Sequence, residues 1–198
     1  DNTTVVGLSY APTTNAPRAF KWTQETGFVN MGSLYADAYT RADAISDNKS
    51  VVGGYQDLEN GSRAGAYWLN GIESVIVDSN GSNVGLVRAI SYDGSKIAGN
   101  PLWGKFPYIL DRATGAVTYI KNSQLLTDIR YKGSVNGISN DGKIVIGYFG
   151  ATIPFTPIDE SYIWTEEMGF KDFTAYVKSL GIDVQGEYLY ATAISPDG

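Results

Sequence analysis

Val87-Arg88-Ala89-Ile90-Ser91-Tyr92-Asp93-Gly94 is an octapeptide that this chain writes, with small variations, four times. The other copies are Ala42-Asp43-Ala44-Ile45-Ser46-Asp47-Asn48, Val135-Asn136-Gly137-Ile138-Ser139-Asn140-Asp141-Gly142 and Ala191-Thr192-Ala193-Ile194-Ser195-Pro196-Asp197-Gly198. An apolar run ending in glycine belongs to each: Val5-Val6-Gly7, Val51-Val52-Gly53, Ile97-Ala98-Gly99 and Val145-Ile146-Gly147, with the glycines 46, 46 and 48 residues apart. A fixed period of this size signals a repeat array. Runs of five to seven β-branched and aromatic residues, separated by Asn-Gly, Asp-Gly and Thr-Gly, favour short strands over helix pairs.

Working outward from the octapeptide, each repeat divides into four strand-sized pieces joined by turns, which is the pattern of a propeller blade. The expected fold is therefore all-β: a single β-propeller domain, or segment of one, over residues 1–198. It is built from four-stranded antiparallel blades, with repeats at approximately 1–46, 47–92, 93–140 and 141–198. Gly27, Gly115 and Gly169 are placed to take the positive φ of hairpin turns. The fourth repeat is about ten residues longer, and Phe173, Tyr176, Val177 and Leu180 follow helical spacing in the extra stretch. This predicts a short helix between Asp172 as cap and Gly181 as stop.

The octapeptide also carries a packing expectation. Side chains alternate along a strand, so Ile45, Ile90, Ile138 and Ile194 face one way while Ala44, Ala89, Gly137 and Ala193 face the other. Bulky faces then meet nearly bare ones between adjacent sheets, with this strand innermost. Trp22, Trp68 and Trp164 recur in phase and are expected in blade cores.

Composition narrows the chemistry. The 198 residues are 43% hydrophobic, enough for a substantial core, and carry a formal charge of -6 with no basic run, which argues against nucleic-acid partners. No apolar stretch is long enough to cross a bilayer, so this segment is not expected to insert in a membrane. Histidine and cysteine are both absent, so a Ser-His-Asp triad, a Cys-His pair and ordinary zinc sites are excluded. No cofactor motif is present, and one carboxylate per Asp-Gly turn is too few for calcium.

Candidate binding residues come from one position of the repeat. Asp43, Arg88, Asn136 and Thr192 stand two residues before the isoleucine and are the variable polar members of an otherwise uniform strand. They are expected near the axis, at a polar channel mouth, with Asp43 and Arg88 placed to pair. Trp103 is out of phase with the other tryptophans and is the candidate for sugar stacking. Carboxylates at Asp43, Asp159, Glu160, Glu166 and Glu167 are the material for a glycosidase, which needs two acids about 5–9.5 Å apart.

Arg18-Ala19-Phe20-Lys21-Trp22, the Gly27-Phe28 turn followed by Met31-Gly32, and the recurrent Ala-Ile-Ser-x-Asp-Gly pattern together resemble the bacterial HAF-type extracellular repeat family. The resemblance spans essentially the whole chain and implies a propeller outside the cell or at the bacterial surface, in secreted proteins or autotransporter passenger regions. It transfers no catalytic residue. Three readings remain open: a noncatalytic binding or display module for a glycan or protein ligand, a carbohydrate-active enzyme, and a structural spacer. The chain is expected to be monomeric or part of a larger polypeptide. Asp1-Asn2 and Asp197-Gly198 fall in the same turn of the repeat, which fits either a slice of a larger ring or a four-bladed ring closed by residues 191–195.

Overall fold

The computed structural model describes residues 3–102, 104, 106–122, 131–151 and 160–198. The chain runs through four antiparallel sheets in sequence order. The first holds β1 (Thr4–Tyr10), β2 (Pro17–Thr23) and β3 (Gly27–Asn30), and the second β4 (Thr40–Ile45), β5 (Val51–Asp57), β6 (Arg63–Leu69) and β7 (Ile72–Val75). The third comprises β8 (Val87–Ile90), β9 (Lys96–Gly99), β10 (Tyr108–Asp111) and β11 (Val117–Tyr119). The fourth comprises β12 (Tyr131–Ile138), β13 (Ile144–Ala151), β14 (Glu160–Thr165) and β15 (Gly169–Asp172). One helix, α1 (Phe173–Ser179), follows.

Each four-stranded sheet joins the octapeptide strand of one repeat to the first three strands of the next, so sheets and sequence repeats are out of phase. The first sheet consequently has three strands rather than the four expected of a blade. At the other end, residues 191–195 lie outside any strand and no sheet closes the array among the described residues.

Hairpins follow the expected turn chemistry. Gly27, Gly115 and Gly169 have φ of 64°, 73° and 65° between the paired strands. Sheet two uses Asn70-Gly71 instead, with φ of 52° and 83° across the Leu69↔Ile72 pair, a two-residue turn whose twist suits the strands. The helix also forms as read. Asp172 accepts the Ala175 N–H at 2.6 Å, and Gly181 at φ 79° follows the Leu180 cap.

Neighbouring sheets pack bulky on bare. Gly53 of β5 has no room for a methyl group, since Val87 and Ile90 of the next sheet occupy that space, and Ile194 lies over Gly137 in the same way. Ile45 and Ile138 pack against the clusters that join their own sheets to the preceding ones. Burying each such isoleucine stabilises by roughly 1.5–3 kcal/mol when complete. The innermost turns are also tied one to the next: Asn48 N–H donates to Tyr92 O at 3.0 Å, Tyr92 N–H to Asn140 O at 2.9 Å, and Asn140 N–H to Pro196 O at 2.8 Å.

Two expectations about the core are corrected. Val52, not Val51, is opposite Trp68, just as Val5 is opposite Trp22 and Val145 opposite Trp164, so Gly54 is the counterpart of Gly7, Gly99 and Gly147. Trp68 is buried at 1% exposure, whereas Trp22 is 39% exposed. The reason is positional. The Trp68 indole packs toward Ala19 and Val6 of the first sheet, and among the described residues no sheet packs on the equivalent face of the first sheet.

Candidate functional site

The innermost strands β4, β8 and β12 each carry a β-bulge, and the extra residue is Asp43, Arg88 or Asn136. An extra residue has no partner across the ladder, which frees its side chain from the packing that fixes its neighbours. Variability at this position has that cause. The bulge needs glycine opposite: a Cβ on Gly54 would stand 1.8 Å from Arg41 O, and one on Gly147 1.9 Å from Ser134 O.

The four candidates end up in different settings. Asp43 is largely buried and pairs with Arg41 on its own strand, Oδ1 to Nε 2.8 Å, rather than with Arg88. Strand geometry explains this, because Arg41 lies two residues away on the same side of β4, while Arg88 projects exposed from the next sheet. Asn136 donates through Nδ2 to Ala191 O at 2.8 Å, holding residues 191–195 against the fourth sheet, and Thr192 is exposed. Trp103 lies outside the described residues, as does Asp159.

Among the other acids, Glu166 and Glu167 are exposed on the β14–β15 turn. Glu160 is shifted up by burial and by the nearby Asp172, and accepts from Asn122 Nδ2. Asp111 lines an inter-sheet groove of about 530 Å³ together with Trp164 and Glu166. The Lys96 ammonium 2.7 Å away and the Thr114 amide hold its carboxyl at about 2, which keeps it ionised and unsuited to donating a proton at neutral pH.

A second cluster, which the repeat does not announce, forms at the end of the second sheet away from the Ser-x-Asp-Gly turns. Arg41 and Arg63 stack on Tyr55, with guanidinium carbons 4.9 and 3.8 Å from the ring centroid. Arg63 also grips Asp57 through two bonds of 2.6 and 3.2 Å, the main cause of its upward shift. Beside them, the segment between β3 and β4 is pinned by buried Gln56, whose Oε1 accepts the Leu34 N–H at 3.0 Å. The result is a groove of about 490 Å³ lined by residues 34–39 with Asp57, Leu58, Glu59 and Gly61. Leu34, Tyr35 and Tyr39 are exposed on it, alongside the carboxylates of Asp37 and Glu59. Sequence periodicity misses this groove because its residues lie in connections that are not repeated. The available signal is the cluster of aromatic and acidic residues in Leu34-Tyr35-Ala36-Asp37-Ala38-Tyr39.

Glu73 on β7 lies under the same segment. Burial raises its carboxyl to about 7; the Leu34 amide and Trp68 indole N–H point toward it and offset part of that shift, yet Glu73 Oε1 and Trp68 Nε1 complete no hydrogen bond. The charged form is thus disfavoured in the fold. Its contribution to stability is complete below its ordinary value of 4.5 and is lost as pH rises through about 7. Glu73→Gln is therefore expected to stabilise the protein by about 1–2 kcal/mol at pH 8, allowing for the solvent that still reaches the group, and by almost nothing at pH 4. Urea denaturation at both pH values measures the difference.

No family model and no curated protein matches this chain. Solved structures do. A TolB candidate from Agrobacterium tumefaciens superimposes over 87% of this chain and 61% of its own with a TM-score of 0.61 at 12% identity. TolB from Acinetobacter baumannii matches 86% of this chain and 41% of its own, with a TM-score of 0.54 at 15% identity. A structure of the nidogen/laminin complex matches 85% of this chain and 60% of its own, with a TM-score of 0.52 at 8% identity. At these identities the likeness concerns fold alone: the four sheets have a β-propeller-like arrangement, with no sheet closing it among the described residues. The chain spans less than two thirds of the length of these neighbours.

Proposed function

We propose that this chain is a noncatalytic, protein-binding propeller segment, displayed outside the cell or at a bacterial surface as the resemblance to HAF-type extracellular repeats implies. The observation that carries the reading is the groove between residues 34–39 and 57–61. Exposed Leu34, Tyr35 and Tyr39 supply rigid apolar area, and Asp37 and Glu59 supply negative charge at its edge. Aromatic anchors inside a polar rim are the usual build of a protein-recognition patch. The complementary ligand is a peptide segment with aliphatic or aromatic side chains next to lysine or arginine. The absence of histidine and cysteine and the ion-paired state of Asp57 and Asp111 support a binding role over a catalytic one. One fold neighbour comes from a nidogen/laminin complex, an instance of this architecture in a protein assembly.

Selection of a random peptide library on the protein is expected to enrich basic residues beside leucine, phenylalanine or tryptophan. Replacing Tyr35 and Tyr39 together by alanine should weaken the selected peptides about tenfold or more, with unchanged thermal melting. Failure to enrich any peptide, or enriched peptides that ignore the double variant, would remove the proposal. Selective binding on a glycan array with no peptide binding would replace it with a carbohydrate ligand.

A further inference from the structure

Residues 33–39 cross from the first sheet to the second as a strap that is bonded to the sheets near its two ends. At the near end Leu34 N–H donates to Gln56 Oε1 at 3.0 Å, and Ser33 Oγ donates to the same oxygen at 3.4 Å. At the far end Arg18 Nη1 donates to Ala38 O at 2.6 Å, and Asp57 N–H to Tyr39 O at 2.8 Å. Between these anchors one bond, Ala38 N–H to Tyr35 O at 3.2 Å, turns the strap on itself, and Tyr35, Ala36 and Asp37 are exposed. Asp37 is held at φ 58°, a left-handed conformation that costs a residue with a side chain free energy and that the anchors must sustain.

The near end rests over Glu73. Only two N–H groups turn toward its carboxyl, those of Leu34 and of the Trp68 indole, and the Leu34 hydrogen is already given to Gln56. The cations of the surrounding elements are engaged elsewhere: Arg41 of β4 with Asp43, Arg63 of β6 with Asp57, Lys21 of β2 with Lys49 O, and Arg18 with Ala38 O and Asp37. No charged neighbour, acid or base, contributes to the upward shift of Glu73, which has burial as its cause. An ionised carboxylate in this position has no cation to balance it and is shielded from bulk solvent by the strap, whereas a neutral carboxyl tolerates both conditions.

We infer that Glu73 is a proton-operated latch on the strap of residues 33–39, which stays down while the carboxyl is neutral and is released when it ionises. Lifting the near end lets water reach the carboxylate and takes Leu34 and Tyr35 away from the groove wall. The direction follows from linkage. A carboxyl open to water titrates near 4.5 and the covered one near 7, so the preference for the closed strap is complete below 4.5 and is lost as pH rises through about 7. The consequence for ligand binding rests on the peptide-binding reading above, because the peptide contacts belong to the closed strap; the motion itself does not.

Hydrogen exchange on the full chain without ligand reads the motion. After correction for the intrinsic pH dependence of exchange, the Leu34 and Tyr35 amides should open about tenfold or more readily at pH 7.5 than at pH 5, while the protected amides of β6 keep the same opening constant. In Glu73→Gln, which is neutral at both pH values, the two strap amides should show no such change. Equal protection of Leu34 and Tyr35 at the two pH values in the unaltered protein, a parallel loss in β6, or a pH effect that survives Glu73→Gln would each overturn the latch. A peptide selected on the groove should restore strap protection at pH 7.5, since it binds the closed form. If no peptide is selected, the peptide-binding reading fails and the ligand-free exchange still decides the latch; if peptides bind while strap exchange is indifferent to pH, the latch fails and the groove reading stands.

Discussion

Gly147→Ala is expected to destabilise the protein by about 4 kcal/mol or more, enough to leave a large unfolded fraction at room temperature. The new methyl carbon would stand 1.9 Å from the Ser134 carbonyl oxygen and 2.6 Å from the Tyr162 hydroxyl. Neither neighbour can yield cheaply. Ser134 O belongs to the backbone of β12 at its bulge, and Tyr162 is fully buried with its hydroxyl bonded to that same carbonyl at 3.0 Å. To make room, the β12–β13 ladder has to part, exposing Phe149, Val145 and Tyr162 together. Gly104 is the control, because a Cβ there meets nothing within 4 Å. Gly104→Ala should change stability by no more than about 0.5 kcal/mol. Urea unfolding followed by tyrosine and tryptophan fluorescence gives both values, and equal effects at the two glycines would refute the steric account.

Trp68→Ala carries the second large effect, a loss of about 3–5 kcal/mol. The indole is 1% exposed and sits among Ala19, Ala42, Val52 and Ala66, with Val6, Met31 and Ile45 around it. These are mostly small residues on two adjacent sheets, so the indole fills a space they cannot close by moving inward. Removing it leaves a cavity at the joint between the first and second sheets. Trp22→Ala, with the indole 39% exposed on the first sheet, should cost less, about 1–2 kcal/mol. The contrast between two tryptophans in the same phase of the repeat is read by thermal or chemical denaturation. Similar losses at both would show that Trp22 is covered in solution.

The repeat made the local structure readable. The octapeptide announced the innermost strand and its turn, Ile90 and Ile194 do pack on glycines of the preceding sheet, and Asp172 does cap a helix that ends near Gly181. Such features depend on alternation and on residues a few positions apart, so they are written locally. Three others were not. Gly54 rather than Gly53 faces the bulge because two consecutive glycines leave the register to the cross-strand partners Ala66 and Trp68. The burial of Trp68 and the exposure of Trp22 depend on whether another sheet precedes, which no residue of the strand encodes. Asp43 settles on Arg41 because the bulge turns it toward its own strand, and the groove under Tyr35 and Tyr39 arises from connections that the repeat leaves unconstrained.

The amide-to-carbonyl contacts passed from Asn48 to Tyr92, Asn140 and Pro196 run through the inner turns of the second, third and fourth sheets, so each of these turns touches only the one before and the one after. Cooperativity in such a row behaves like a one-dimensional zipper, with melting that begins at the tips and works inward. Proline at 196 has no hydrogen to hand the contact on, so the series that joins the second, third and fourth sheets stops at that residue.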